Sequence, residues 1–428
     1  MFSFIATAAA VDPAPIIMLP FAVLLLCIAF APLILKHHWE RHYHTICAGL
    51  AAITASYYIF VLHGSVRILQ VGFEYFSFMV VVGSLFVVTG GIHIVVKGEA
   101  KPWINTLFLG LGGFLANFIG TTGASMLLIR PWIRMNRYRF TGLHLAFFIF
   151  IVSNVGGALL PTGPPLFLGY LRGVPFWWAL QTCWLPWLII LALLLAVFYF
   201  VDRQNYRRAP LDIRREATAS EEWCFDGLRN IWLMLLILFA LVAIPTGWRE
   251  LVMIAAALIA YVWTPGPIYK GNDFTFEPIK ELGWLFLGIF GTMVPVLDYM
   301  ELHARNLGLH SDLQFFWFTG ILSGILDNAP TYLTFLAGAL GLEKLSIVQP
   351  VEVAQFASLH AHYLIAVSLG ATCFGALTYI GNGPNLMVKA IADHSKLNTP
   401  SFFGYILRFA LPVLVPILGL IGWIFFHR

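Results

Sequence analysis

SNVGGALLPTGPP (Ser153 to Pro165) and GALTYIGNGPN (Gly375 to Asn385) decide the fold. Each interrupts a long apolar segment, 141–171 and 354–392, with Gly and Pro that regular helix does not tolerate. Each follows a second polar patch. NFIGTTGAS (Asn117 to Ser125) lies within apolar residues 104–130, and DNAPT (Asp327 to Thr331) within 314–340. Backbone that leaves the helix at membrane depth must line a cavity or be buried in protein. Two corresponding sets of breaks, one per half, mark a secondary transporter with its site near the midplane.

Composition agrees. The 428 residues are 60% hydrophobic and 11% charged, with mean hydropathy +0.83. Soluble chains carry about 25% charged residues. The expected class is an all-α polytopic membrane protein; the apolar runs are continuous, unlike the alternation of a barrel. Cys27, Cys47, Cys183, Cys224 and Cys373 are scattered without CxxC spacing, so neither disulfides nor zinc is implied. The first apolar run lacks a basic region before it and reads as a retained span. No cofactor and no nucleic-acid partner are expected. The absence of a phosphate-binding Gly-x-x-x-x-Gly-Lys-Ser/Thr loop argues against ATP-driven transport, and the absence of a nucleophile–base or His-Glu-x-x-His constellation argues against an enzyme.

A span needs about 20 apolar residues. Candidates are 15–35, 45–63, 74–96, 141–171, 176–201, 230–247, 249–264, 281–298, 354–392 and 401–427. Segments 104–130 and 314–340 are expected to be re-entrant hairpins, which leaves about ten spans. Loops 36–44, 97–103, 130–140, 202–229, 265–280 and 389–400 then share one side and hold 18 of the 25 Lys and Arg. That side is predicted to be cytoplasmic, with both termini outside and the chain in the cell inner membrane. Five spans per half is an odd number. Residues 1–201 and 230–428 are therefore expected to be inverted repeats, joined by a cytoplasmic linker at 202–229.

The broken patches define the candidate site. Asn117, Thr121, Thr122 and Ser125 offer neutral oxygens beside Gly120 and Gly123, suited to a hard cation such as Na+. Single Ser or Thr residues more often glue helices together. Ser153, Asn154, Thr162 and Gly163 in the first break, and Asn382, Gly383 and Asn385 in the second, are further candidates, as are Asn328 and Thr331. Asp327 is the intramembrane carboxylate in evidence, and such a group is a functional hypothesis by default. It can trade a proton for Na+ or Li+. A structural alternative is that it caps a helix or pairs with an Arg. His360 is a candidate proton relay with Asp327. The Na+ candidates are Asn117, Asn154, Asp327, Asn328 and Asn385. His37, His38, His42 and His44 form an interfacial cluster whose spacing fixes no metal site.

At these residues the chain resembles the ion transporter superfamily. That group includes NhaD-type Na+/H+ antiporters, arsenite-pump membrane subunits and citrate or dicarboxylate carriers. The similarity is carried by residues 153–177, 326–335 (LDNAPTYLTF) and 375–392. It implies a scaffold domain and a transport domain, hairpins meeting at a midplane Na+ site, and a homodimer. By position, Asp327 and Asn328 match an Asp-Asn-x-Pro motif, and Asn382 to Asn385 match the second broken-helix motif. The chain departs from antiporter-type members at the first hairpin, where Ala116 and Asn117 stand in place of an Asp-Asn pair. It also has no acid in Pro161 to Pro165. The leading expectation is Na+(Li+)/H+ exchange by alternating access. The alternative is Na+- or H+-coupled transport of citrate or a dicarboxylate.

Overall fold

A computed structural model describes residues 11–95, 101–208 and 224–427. Most of the expected linker, 209–223, lies outside the described residues, as do 1–10, 96–100 and Arg428.

A 3-10 turn (Pro15–Met18) leads into α1 (Leu19–Ile34), α2 (Lys36–Phe60) and α3 (Ser65–Gly90). After strand β1 (His93–Val95) come α4 (Pro102–Asn136), α5 (Gly142–Ile151), α6 (Pro164–Arg172) and α7 (Trp178–Arg208). Strand β2 (Cys224–Asp226) opens the second half. It continues with α8 (Asn230–Ala243), α9 (Trp248–Trp263), α10 (Gly266–Gly271) and α11 (Glu277–His303). Then follow α12 (Asp312–Ile325), α13 (Asn328–Leu342), α14 (Pro350–Leu359), α15 (Ala361–Phe374) and α16 (Gly383–His394). The chain closes with α17 (Phe402–Tyr405), a π-helical stretch (Ile406–Leu414) and α18 (Val415–Phe426).

The element α4 is a hairpin. Asn105 Nδ2 donates to Asn136 Oδ1 at 2.8 Å across 31 residues, which a straight helix would place about 46 Å apart. Phe108 stacks on Trp132 between the limbs. The turn is a single residue, Gly120, at φ 73 and ψ 157. That region is essentially closed to side chains, and a Cβ there would also lie 2.8 Å from the Thr162 carbonyl oxygen. The pair α12–α13 is the second hairpin. Leu326 is extended, Asp327 caps α13, and Phe315 meets Phe335 between the limbs.

The expected breaks are present. Helix α5 stops at Ile151, and α6 restarts at Pro164. Helix α15 stops at Phe374, and α16 restarts at Gly383 with Pro384 in its first turn. Proline is preset for a first turn, where its missing N–H would have no partner. The segment 354–392 carries a further, unanticipated break, since α14 and α15 meet at His360 with a bend of 98°.

The class is all-α polytopic. Among the described residues six helices are long and apolar enough to cross a membrane, or seven if the bent pair counts as one. Hydropathy gave about ten spans, and the difference has physical causes. Two expected spans are broken pairs, α8 and α9 have 14 and 16 residues, and the apolar run of α2 is diluted by His, Tyr, Ser and Thr. One of the six, α4, is the hairpin. The β1–β2 ribbon, with His93 opposite Asp226 and Val95 opposite Cys224, was not expected: span 74–96 ends as helix at Gly90.

Two packing groups emerge. Helices α1, α2, α3, α8, α9 and α11 pack on one another. The hairpins, the broken helices, α7 and α18 form the other group. One long helix of each half crosses between them: α3 packs on hairpin α4, and α11 on α13. The hairpins open at opposite ends of α7. Near its start, Trp178 donates to the Ala357 carbonyl, close to His360 and His362, which contact the ends of the α12–α13 hairpin. Near its end, Asp202 accepts from Asn105 at the base of α4.

Candidate functional site

Each hairpin tip is pinned to the break in its own half. In the first half Thr162 Oγ1 donates to the Asn117 carbonyl at 2.6 Å, and Asn117 Oδ1 accepts from the Leu159 N–H at 3.0 Å. Ser125 and Ser153 share a hydrogen bond of 2.8 Å. In the second half Thr378 Oγ1 donates to the Gly324 carbonyl and accepts from the Ile380 and Gly381 N–H groups. Ser323 Oγ donates to the Ala371 carbonyl.

The two breaks are then joined by amides. Asn154 Nδ2 donates to Asn385 Oδ1 at 2.8 Å and to the Ile149 carbonyl. Asn382 Nδ2 donates to the Ser153 carbonyl at 2.8 Å and to Asn154 Oδ1 at 3.1 Å. Asn385 Nδ2 satisfies the Gly375 and Thr378 carbonyls. These three side chains are buried and serve first as braces for carbonyls that the broken helices free.

Two oxygens differ. Thr121 Oγ1 and Asn328 Oδ1 are buried and hydrogen-bond to nothing among the described residues. A buried acceptor without a partner is costly and needs an explanation. One sits at each hairpin tip. Thr121 lies beside Gly163, and Asn328 lies beside Gly375. Asp327, adjacent to Asn328, is half-buried, and its Oδ1 accepts from the Ala329 N–H at 2.9 Å. It is thus a helix cap, with its other carboxylate oxygen uncommitted by that bond.

Other candidates fall elsewhere. Thr331 Oγ1 bonds back to the Asp327 carbonyl inside α13. Thr122 is half-buried on the α4 tip. Gly383 lies on the wall of a cavity of about 910 Å³, bounded by the second limb of α4, α16 and the start of α11. His360 is not brought to Asp327. Its Nδ1 faces Glu343 Oε1 at 3.5 Å, at the far end of the 15-residue α13, about 22 Å along the helix. Among the described residues, no group of three or more His, Cys, Asp or Glu is arranged to hold a metal; the cluster from His37 to His44 forms none.

Sequence reasoning missed two things. Thr378 went unselected, although it stands just before the second break. More important, Asp327 is not the sole carboxylate in apolar surroundings. Asp298 is buried with Arg67 at 2.7 Å and Tyr58 at 2.9 Å. Glu74 meets Arg172 at 2.7 Å, Glu250 meets Arg249 and Ser77, and Asp202 meets Arg139 and His144. Each acid and its Arg lie near span ends on the same face. That matching was the available signal, but the arginines read as loop charges.

The model of a family described as "Putative citrate transport" matches residues 12–426. No curated protein matches the chain.

Proposed function

Since the chain belongs to this citrate-transport family, we propose that it is a secondary transporter exchanging Na+ or Li+ for protons, with Asp327 as the shared ligand. The observation that carries this reading is the orphaned Asn328 Oδ1 next to a carboxylate, mirrored by the orphaned Thr121 Oγ1 at the other tip. Oxygens of this kind suit a hard cation. Asn117 and Thr162 would support the first position through backbone and hydroxyl oxygens. Asn154 and Asn385 would hold the two tips in register. The cation and the proton would compete for Asp327, so that neither leaks without the other.

A second reading is favoured by the family description: Na+- or H+-coupled transport of citrate or a dicarboxylate. In that reading the same tips bind the coupling ion, and the helix N-termini of α6, α13 and α16 face the carboxylate. The negative Asp327 at one of those N-termini counts against it. Inverted repeats 1–201 and 230–428, a homodimer, and an inner-membrane location with both termini outside complete the proposal. A scaffold built from the α1, α2, α3, α8, α9 and α11 group also belongs to it.

Vesicles loaded with a pH dye separate the readings. Na+ or Li+ pulses without carboxylate should move protons. If only labelled citrate uptake is seen, exchange is the wrong reading and the second one stands.

A further inference from the structure

The two packing groups meet differently on the two faces of the molecule. On the face away from the basic loops, α6 is clasped. Arg172, its last residue, is buried against Glu74 of α3 at 2.7 Å. Arg67, Asp298 and Glu301 lie within electrostatic reach of the same guanidinium. Tyr170 donates to the Leu241 carbonyl of α8 at 2.9 Å and accepts from Arg249 of α9 at 3.2 Å. Phe167 packs on Phe78. On the basic-loop face the same two groups part, leaving the cavity of about 910 Å³ that reaches Gly383.

The walls of that cavity carry opposite charge. Arg130 and Arg134 of α4 and His394 of α16 line one side, while Asp273, Glu277 and Glu281, at and before the start of α11, line the other. Among the described residues one ion pair bridges them, Arg130 to Asp273 at 3.4 Å. Lys280 already pairs with Glu277 on its own wall. Walls of opposite sign attract across a gap and gain when they close.

We infer that these are the two gates of an alternating-access cycle: Arg172–Glu74 with Tyr170–Arg249 is the gate now shut, and Arg130 and Arg134 facing Glu277 and Glu281 is the gate now open. The inference rests on the transporter reading but not on its cargo. Opening the shut gate separates a buried ion pair, and closing the other gate supplies new pairs in exchange. The charged residues at the two faces thereby balance one conformation against the other.

Cysteine accessibility tests this without any substrate. Ala390→Cys places a thiol on the cavity wall, and a membrane-impermeant maleimide is applied to inside-out and right-side-out vesicles. Labelling of the chain lacking the added cysteine is subtracted. Glu74→Gln with Arg172→Gln removes the ion pair of the shut gate without changing the net charge. The labelling rate should fall at least about threefold as the cavity closes more often. Swapping the pair, Glu74→Arg with Arg172→Glu, should restore it. Tyr170→Phe, a milder change, should slow labelling in the same direction. Adding Glu277→Gln and Glu281→Gln to the first variant should return the rate to that of the parent. Parental labelling in both a monodisperse Gln/Gln variant and Tyr170→Phe overturns the shut gate. A rate that stays slow after the Glu277 and Glu281 changes overturns the open one. If labelling responds as expected but Na+ moves no protons, the gates stand and the cargo is wrong.

Discussion

The two hairpins do the same geometric job with opposite materials. The first turns on one glycine at positive φ, Gly120, and presents neutral oxygens at its tip. The second turns on Leu326 and Asp327, whose carboxylate caps the next helix. Their bases are reversed. The ends of α4 are tied by buried Asn105, Asn136, Asp202 and Arg139. The ends of α12–α13 are tied by more exposed pairs, His362 with Asp312 and His360 with Glu343. Charge is buried at the base of one hairpin and placed at the tip of the other. Under the proposed exchange, the first tip supplies neutral oxygens alone and the second supplies the carboxylate that would trade its proton.

The sharpest way to break this comparison is at the first base. Asp202→Asn leaves Arg139 buried without its carboxylate, and removing one partner of such a pair costs about 3–5 kcal/mol. Thermal unfolding in detergent should show a large loss, and an unchanged midpoint would mean the base is not anchored this way. At the second tip, Asp327→Asn keeps the cap, because Asn caps as well as Asp. It removes only the charge. Coupled exchange should drop at least about 100-fold, as when a proton-transferring group is lost, with expression and unfolding temperature near those of the parent. Full exchange by this variant would take Asp327 out of the mechanism. Gly120→Ala tests the first tip: the backbone conformation costs a side chain about 1–3 kcal/mol, and the new Cβ strikes Thr162. Stability and transport should both decline, whereas a neutral result would show that the tip can re-form. The smallest effect belongs to the second base. His362→Ala breaks a half-exposed pair and should cost less than about 1 kcal/mol. A loss as large as that of Asp202→Asn would erase the contrast between the bases.

Much of this was legible in the residues. Gly, Pro and Asn inside apolar segments announce breaks, since no water is present at that depth to satisfy freed backbone groups. The hairpins followed from counting basic loops. What stayed hidden was pairing. Nothing local in Arg172 or Glu74 says that they meet across 98 residues, so both read as ordinary charges near span ends. Asn154, Asn382 and Asn385 were legible as polar residues of the breaks, but not as braces whose hydrogen bonds are already filled. The bend at His360 was hidden because no Gly or Pro stands between Val351 and Leu369 to mark it.

The amide seam has one more consequence. Setting Gly163-Pro164 beside Gly383-Pro384 places Thr162 opposite Asn382, Pro165 opposite Asn385, and Asn154 opposite Phe374. Two copies of the first half would offer Asn154 a threonine and a proline. Two copies of the second would offer Asn382 and Asn385 a phenylalanine. Neither combination can rebuild the Asn154–Asn382–Asn385 bonds. Made as separate chains, the halves would select each other over themselves. The centre of the molecule thus records a fidelity of partnership that two interchangeable repeats could not possess.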